Sequence, residues 1–141
     1  MNKSKVKPVP DGMHAVTPHL TCAGAADAIE FYKKAFNAVE IKRMPGPQGK
    51  LMHALIRIGD SAVMLADEFT DWGSFGPKSL HGSPVTIHIY VEDVDAAYKR
   101  ALECGATSLA EPENKPYDER VAGVKDTFGN TWWISTFKKR V

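Results

Sequence analysis

The sequence predicts an α+β fold: two βαβββ modules forming a cupped mixed sheet with helices on its outer face. Three observations lead there. Thr17-Pro18-His19-Leu20 is echoed by Thr86-Ile87-His88-Ile89, each an apolar-rich strand. Each is followed by a segment whose apolar residues recur every three to four positions, and then by alternating stretches. Gly49-Lys50-Leu51-Met52-His53 also matches Gly129-Asn130-Thr131-Trp132-Trp133 as a turn glycine opening a strand. Duplicated modules must bury their apolar faces against each other, so a ligand site is expected between the halves.

The elements follow in order. Residues 1–14 are polar and punctuated by proline, and read as a loose lead-in. Residues 15–22 alternate as a strand, with Pro18 at an edge or unpaired position because it has no N–H to donate. Residues 25–36 are helical: Ala25, Ile29, Tyr32 and Phe36 share a face, Asp27 and Lys33/Lys34 suit the helix dipole, and Asn37 can end the helix in the left-handed region. A strand over 39–44, a Pro-Gly-Pro-Gln-Gly turn, and strands 50–58 and 61–66 joined at Gly59-Asp60 complete module 15–66. Residues 67–83, rich in Gly, Pro and Ser around Trp72 and Phe75, form the connection.

Module 84–137 repeats the plan. It holds strand 84–92 and helix 94–104, with Asp93 as N-cap and Gly105 beyond the C-terminus. Strand 107–111, a Pro-rich loop, strand 119–125, the Asp126–Gly129 turn and strand 130–137 follow. Together the two modules make one domain over 15–137.

Composition narrows the function classes. Over 141 residues the formal net charge is +1, so nothing electrostatic points to nucleic acid as a partner. The basic ends, Lys3/Lys5/Lys7 and Lys138/Lys139/Arg140, read as solvated tails. No apolar run approaches the roughly 18 residues of a membrane span, and no signal-peptide core follows Met1. Cys22 and Cys104 stand apart without metal-finger spacing, which fits a reducing cytoplasm. A single module of this size buries little core, so a homodimer is expected.

Side-chain alternation divides each strand between two faces. Leu20 and Cys22, Ala54, Ile56 and Ile58, Ile87 and Ile89, and Trp132 and Ile134 belong to a helix-covered face, to which Met52 is also assigned. Thr17, His19, Thr21, Leu51, His53, Arg57, Thr86, His88, Tyr90 and Trp133 fall on the other. That amphipathic face either meets water or, in a curved sheet, lines a pocket.

With these residues in place, the chain resembles the vicinal oxygen chelate superfamily, which includes glyoxalase I, extradiol dioxygenases, and bleomycin- and fosfomycin-resistance proteins. Ala28-Ile29-Glu30-Phe31-Tyr32-Lys33-Lys34-Ala35-Phe36, Met52-His53-Ala54-Leu55-Ile56-Arg57-Ile58-Gly59-Asp60, Val91-Glu92-Asp93-Val94-Asp95-Ala96 and Asp126-Thr127-Phe128-Gly129-Asn130-Thr131-Trp132 resemble its PhnB-like subgroup. The resemblance implies a divalent metal held inside the cupped sheet by one ligand from each of four strands. Carried over by position, those sites fall near Thr17, His53, Thr86 and Trp133. Only His53 is a competent ligand there, so the four-ligand metal site and its catalysis are not expected. His19, His53 and His88 could instead form a displaced divalent-metal site, or serve equally as pocket-lining hydrogen-bonders.

The expected ligand-binding residues are therefore His19, His53, His88, Tyr90, Trp133 and Arg120, the last offering a cation to an anionic group or pairing with a surface carboxylate. Three functions compete: a protein that sequesters a small organic molecule, a metal-dependent lyase, isomerase or dioxygenase, and an interaction module.

Overall fold

The computed structural model describes residues 6–138, so the expected tail residues Lys3, Lys5, Lys139 and Arg140 lie outside it. Strand β1 (His19–Cys22), helix α1 (Ala25–Phe36) and strands β2 (Val39–Pro45), β3 (Leu51–Ile58) and β4 (Ser61–Asp67) make the first module. Strand β5 (Thr86–Tyr90), helix α2 (Val94–Glu103) and strands β6 (Thr107–Lys115), β7 (Glu119–Lys125) and β8 (Thr131–Phe137) make the second. The two sheets have the same order, β1-β4-β3-β2 and β5-β8-β7-β6, each with one parallel pair and two antiparallel ones.

This topology corrects one part of the sequence alignment between halves. The third strand of each module is β3 or β7, and the fourth is β4 or β8. The Gly49–His53 segment therefore corresponds to the start of β7 and not to Gly129–Trp133. The parallel ladders fix the register: His19 pairs with Met64 as His88 pairs with Trp133. The antiparallel ladders then place Leu55 opposite Met64 and Gly123 opposite Trp133. The counterpart of Trp133 is Met64, and the counterpart of His53, two residues before Leu55, is Val121.

Helix α1 keeps the expected span because its apolar positions converge on one face: Ala25, Ala28, Ile29, Phe31, Tyr32, Ala35 and Phe36 are all buried. It starts at Gly24 without a side-chain cap of its own. The buried carboxylate of Asp67 supplies one from the end of β4, with Oδ1 accepting from the amides of Gly24 (3.0 Å) and Ala25 (2.9 Å). Its Oδ2 accepts from the amide of Leu51 at 2.6 Å, tying the start of β3 to the same point. Asn37 ends the helix at φ 56°, ψ 33°. In α2 the Asp93 side chain accepts from the amide of Ala96 (3.1 Å), the expected N-cap.

The two helices and the facing sides of both sheets share one core. Trp132 is fully buried with its ring 5.1 Å from that of Tyr32 and 4.9 Å from that of Phe36. Arg100 of α2 donates from Nε to the Ala35 carbonyl of α1 (3.3 Å), linking the helices directly.

Strand boundaries and one face assignment differ from expectation: β5 is shorter than the expected 84–92, running from Thr86 to Tyr90. β1 begins only at His19, because Pro18 has no amide; its carbonyl still accepts from Met64 (2.9 Å). β6 runs on to Lys115 through the stretch expected as a loop. Pro112 is tolerated there because β6 is an edge strand and the ladder shifts register between Ala110 and Glu113. At the start of β3, Leu51 is buried while Met52 is 43% exposed, the reverse of strict alternation. The adjoining register shift between Met44 and Pro45 breaks the alternation at that end.

Candidate functional site

The edge strands β1 and β5 both border clefts between the modules. One cleft, of about 280 Å³, is bounded by His14, Val16, Thr17 and Pro18 ahead of β1, by the Gly59–Ser61 turn, and by Ile87, His88, Ile89 and Tyr90 of β5. A second, of about 250 Å³, lies between β1 and the connecting segment, where His19 and Thr21 meet Phe75, Leu80, Val85 and Ile87. A wider one of about 840 Å³ opens at the far end, where Phe36, Val39 and Arg57 face Tyr90, Arg100 and Phe137.

His88 is the best-anchored polar group in the first cleft. Strand alternation turns Ile87 and Ile89 toward the core and leaves His88 and Tyr90 on the opposite face. His88 Nε2 lies 2.7 Å from the hydroxyl of Ser135, which is fully buried on β8. That contact fixes the ring and leaves Nδ1 for another partner. The Tyr90 ring stands 5.2 Å from the imidazole, and its hydroxyl donates to the Glu119 carboxylate (3.0 Å). The hydrogen bond to Glu119, followed by desolvation and the charge of Glu119, raises the Tyr90 pKa above the ordinary phenol value.

Trp133 belongs to the same face through its register with His88. Its indole lies against Gly123, where a Cβ would fall 2.3 Å from the ring, so the glycine makes room for the tryptophan. His19 and His53 sit on the other sheet, with ring centres 6.1 Å apart and planes tilted by 36°. Burial lowers the His53 pKa below the usual imidazole value, and the charges of His19 and Lys42 lower it further.

The six residues expected to meet in one pocket are thus divided. His88 and Tyr90 share the first cleft, His19 borders the second, and His53 stands beside His19. Arg120 is turned away altogether. Its ladder partner is Thr136, on the helix side of β8, and its guanidinium makes a two-pronged ion pair with Asp95 of α2 (2.7 and 2.9 Å). The hydrogen bonds from Arg120 hold the Asp95 carboxyl below its ordinary value. The sequence allowed for pairing with a surface carboxylate; that carboxylate lies across the fold on α2.

Several residues that matter to these clefts were not picked out from sequence. His14, assigned to the lead-in, borders the first cleft. Ser135 anchors His88, and alternation with Trp133 was the available signal. Glu68 accepts from the amide of Gly76 (2.8 Å) and fastens the connecting segment over β1. Hydrogen bonds from Ser79 and Gly76 hold its pKa low.

A family model described as the Glyoxalase/Bleomycin resistance protein/Dioxygenase superfamily matches residues 13–134. The chain belongs to this superfamily. Within it, an uncharacterized protein of Mycobacterium tuberculosis is 49% identical over 121 residues, covering 84% of this chain and 71% of that protein. The X-ray structure of a gene product from Arabidopsis thaliana aligns with a TM-score of 0.70 at 24% identity, over 87% of this chain and 98% of that one. A PhnB protein from Bacillus cereus, described as a putative 3-demethylubiquinone-9 3-methyltransferase, aligns with a TM-score of 0.64 at 15% identity, over 87% of this chain and 99% of that one. These structural likenesses carry the superfamily fold alone.

The metal that the superfamily implies finds poor donors here. The positions on β1, β4, β5 and β8 that face one another through the parallel ladders hold His19, Met64, His88 and Trp133, flanked by Thr17 and Thr86. Among the described residues neither carboxylates nor four imidazoles converge there, and His53 belongs to β3. This donor set does not fit a divalent Lewis-acid centre, which needs several imidazole or anionic ligands and an open position.

Proposed function

We propose that this superfamily member binds a small organic molecule in the cleft between its modules, and does so without the four-ligand metal site. The observation that carries this reading is the pairing of His88 with Ser135 at the mouth of a cleft bounded by both modules. A ring held by a buried hydroxyl can present its second nitrogen to a ligand at little entropic cost. Apolar walls from Val16, Pro18, Ile58, Ile87 and Ile89, with His14, Thr17, Asp60, Ser61, His88 and Tyr90 as polar residues, have the make-up of a small-molecule site. Trp133 supplies a flat surface on the same face as His88. Arg120 has no part in the cleft, being occupied by Asp95.

We also propose that the chain works as a homodimer. β1 and β5 are unpaired sheet edges, and Val16 (85% exposed), Val85 (64%) and Phe137 (58%) leave apolar surface beside them. No helix among the described residues is long and apolar enough to cross a membrane, so that surface is not a helical membrane span.

The test combines elemental analysis of the purified protein with a crystallographic screen of planar phenols and aromatic carboxylic acids. Density in the cleft against His88, with substoichiometric divalent metal, is the expected result. One equivalent of Zn, Ni, Mn or Fe per chain, together with metal-dependent glyoxalase or dioxygenase turnover lost in His53→Ala, would overturn the reading in favour of an enzyme.

A further inference from the structure

We propose that His19, His53 and Met64 form a binding site for a soft monovalent metal ion, copper(I), on the open face of the first module's sheet. The ladders put the three on one face. His19 pairs with Met64, and Met64 pairs with Leu55. His53 lies two residues before Leu55 on the same strand, so it projects to the same side. On β4 the next residue of that face is Ala66, paired with Thr21, whose small side chain leaves space for an imidazole to lean across.

The separation of the rings suits a shared ion. With metal–nitrogen bonds of about 2.0–2.1 Å, each ring centre stands about 3 Å from the metal, so two opposed imidazoles place their centres about 6 Å apart. The observed spacing is 6.1 Å, and the 36° tilt is not a stacked arrangement. Met64 is half-buried on β4, which lies between the strands of His19 and His53, and carries a thioether on their face. Met44, the ladder partner of His53, places a second thioether on the same face.

The choice of ion follows from charge and softness. The charged groups acting on His53 are His19 and Lys42, both of which oppose a proton or cation there. A hard divalent ion would want carboxylates at this point. Imidazole and thioether ligands favour copper(I), whose single charge is less opposed by Lys42. The site is separate from the cleft of His88, so either proposal can fail without the other.

The experiment is anaerobic competition of the full chain against the copper(I)–bicinchoninate complex, with silver(I) as a redox-inert check. One copper(I) per chain is expected. Even an outer-shell partner of a metal ligand is worth about 10–100-fold in affinity, so His19→Ala and His53→Ala should each weaken binding by about tenfold or more. Met64→Leu keeps the shape, removes the sulfur and should also weaken it. His88→Ala and Cys104→Ser should leave it unchanged, the latter because Cys104 is the more accessible of the two free thiols. Circular dichroism melts establish that each variant is folded. Failure to take copper from the chelator, loss of uptake in Cys104→Ser or His88→Ala, retention in the double variant His19→Ala/His53→Ala, or tighter binding of zinc(II) would each overturn the proposal.

Discussion

Tyr32 on α1 donates its phenolic hydrogen to Asp126 in the turn between β7 and β8, so a buried hydrogen bond joins the two modules. The same Asp126 carboxylate accepts from the indole of Trp132 (2.8 Å) and from the amides of Phe128 and Asn130 (both 2.9 Å). Burial, and then the Asp126 charge, push the Tyr32 pKa well above the phenol range, so the donor stays protonated. Every lone pair that a buried carboxylate needs to fill is filled. The geometry of the cleft depends on this join, because it sets one module against the other.

Tyr32→Phe is expected to cost about 1.5–3 kcal/mol, the usual range for losing a hydrogen bond to a charged group. Urea unfolding with an unchanged m-value would show it. A cost near zero would mean that Asp126 is satisfied without Tyr32.

Gly123→Ala should destabilise the second module by about 1–3 kcal/mol through overpacking, since the new methyl would fall 2.3 Å from the Trp133 ring. A change in tryptophan fluorescence should accompany it, because the indole must move off the strand. Unaltered emission and stability would contradict the contact.

Stability should depend on pH through His53. Its folded pKa is depressed, so the unfolded chain binds the extra proton first as pH falls. The contribution is present in full above the ordinary imidazole value of about 6.5 and is lost as pH falls through the lower, folded value. Melting temperatures measured between about pH 5 and pH 8 should therefore rise with pH, and His53→Gln should flatten the slope.

Arg120→Ala separates the ion-pair role from a ligand role. Because the guanidinium is engaged by Asp95 on the helix side of β7, the variant should leave ligand binding in the cleft unchanged and alter stability only slightly. A large loss of binding would return Arg120 to the site.

Much of the fold was legible because local chemistry and tertiary demand agree. Helix α1 ends where Asn37 can turn left-handed, α2 starts where Asp93 can cap, and both keep their expected spans to within a residue. The strand faces followed from alternation wherever the ladder is regular, and failed at Leu51 and Met52, where it shifts. The candidate site was harder to read. Which residues meet across strands depends on register, which a single sequence does not state. Aligning β3 with β8 gave His53 and Trp133 a false equivalence, and Arg120 was expected among the pocket residues when it pairs with Asp95 of α2. Alternation puts Ser135 on the face of Trp133, but only the folded chain brings it to His88, and His14 to the cleft.

The central claim, that an organic ligand occupies the cleft between the modules, is tested most directly by ¹H–¹⁵N and histidine side-chain NMR during titration with the tightest-binding phenol or aromatic acid from the screen. Shifts concentrated at Thr17, Gly59–Ser61 and Ile87–Tyr90, weakened about twofold to tenfold in affinity by His88→Ala in line with one lost hydrogen bond, are the predicted result. Shifts spread over the surface, or confined to residues away from β5 and unaffected by His88→Ala, would contradict it.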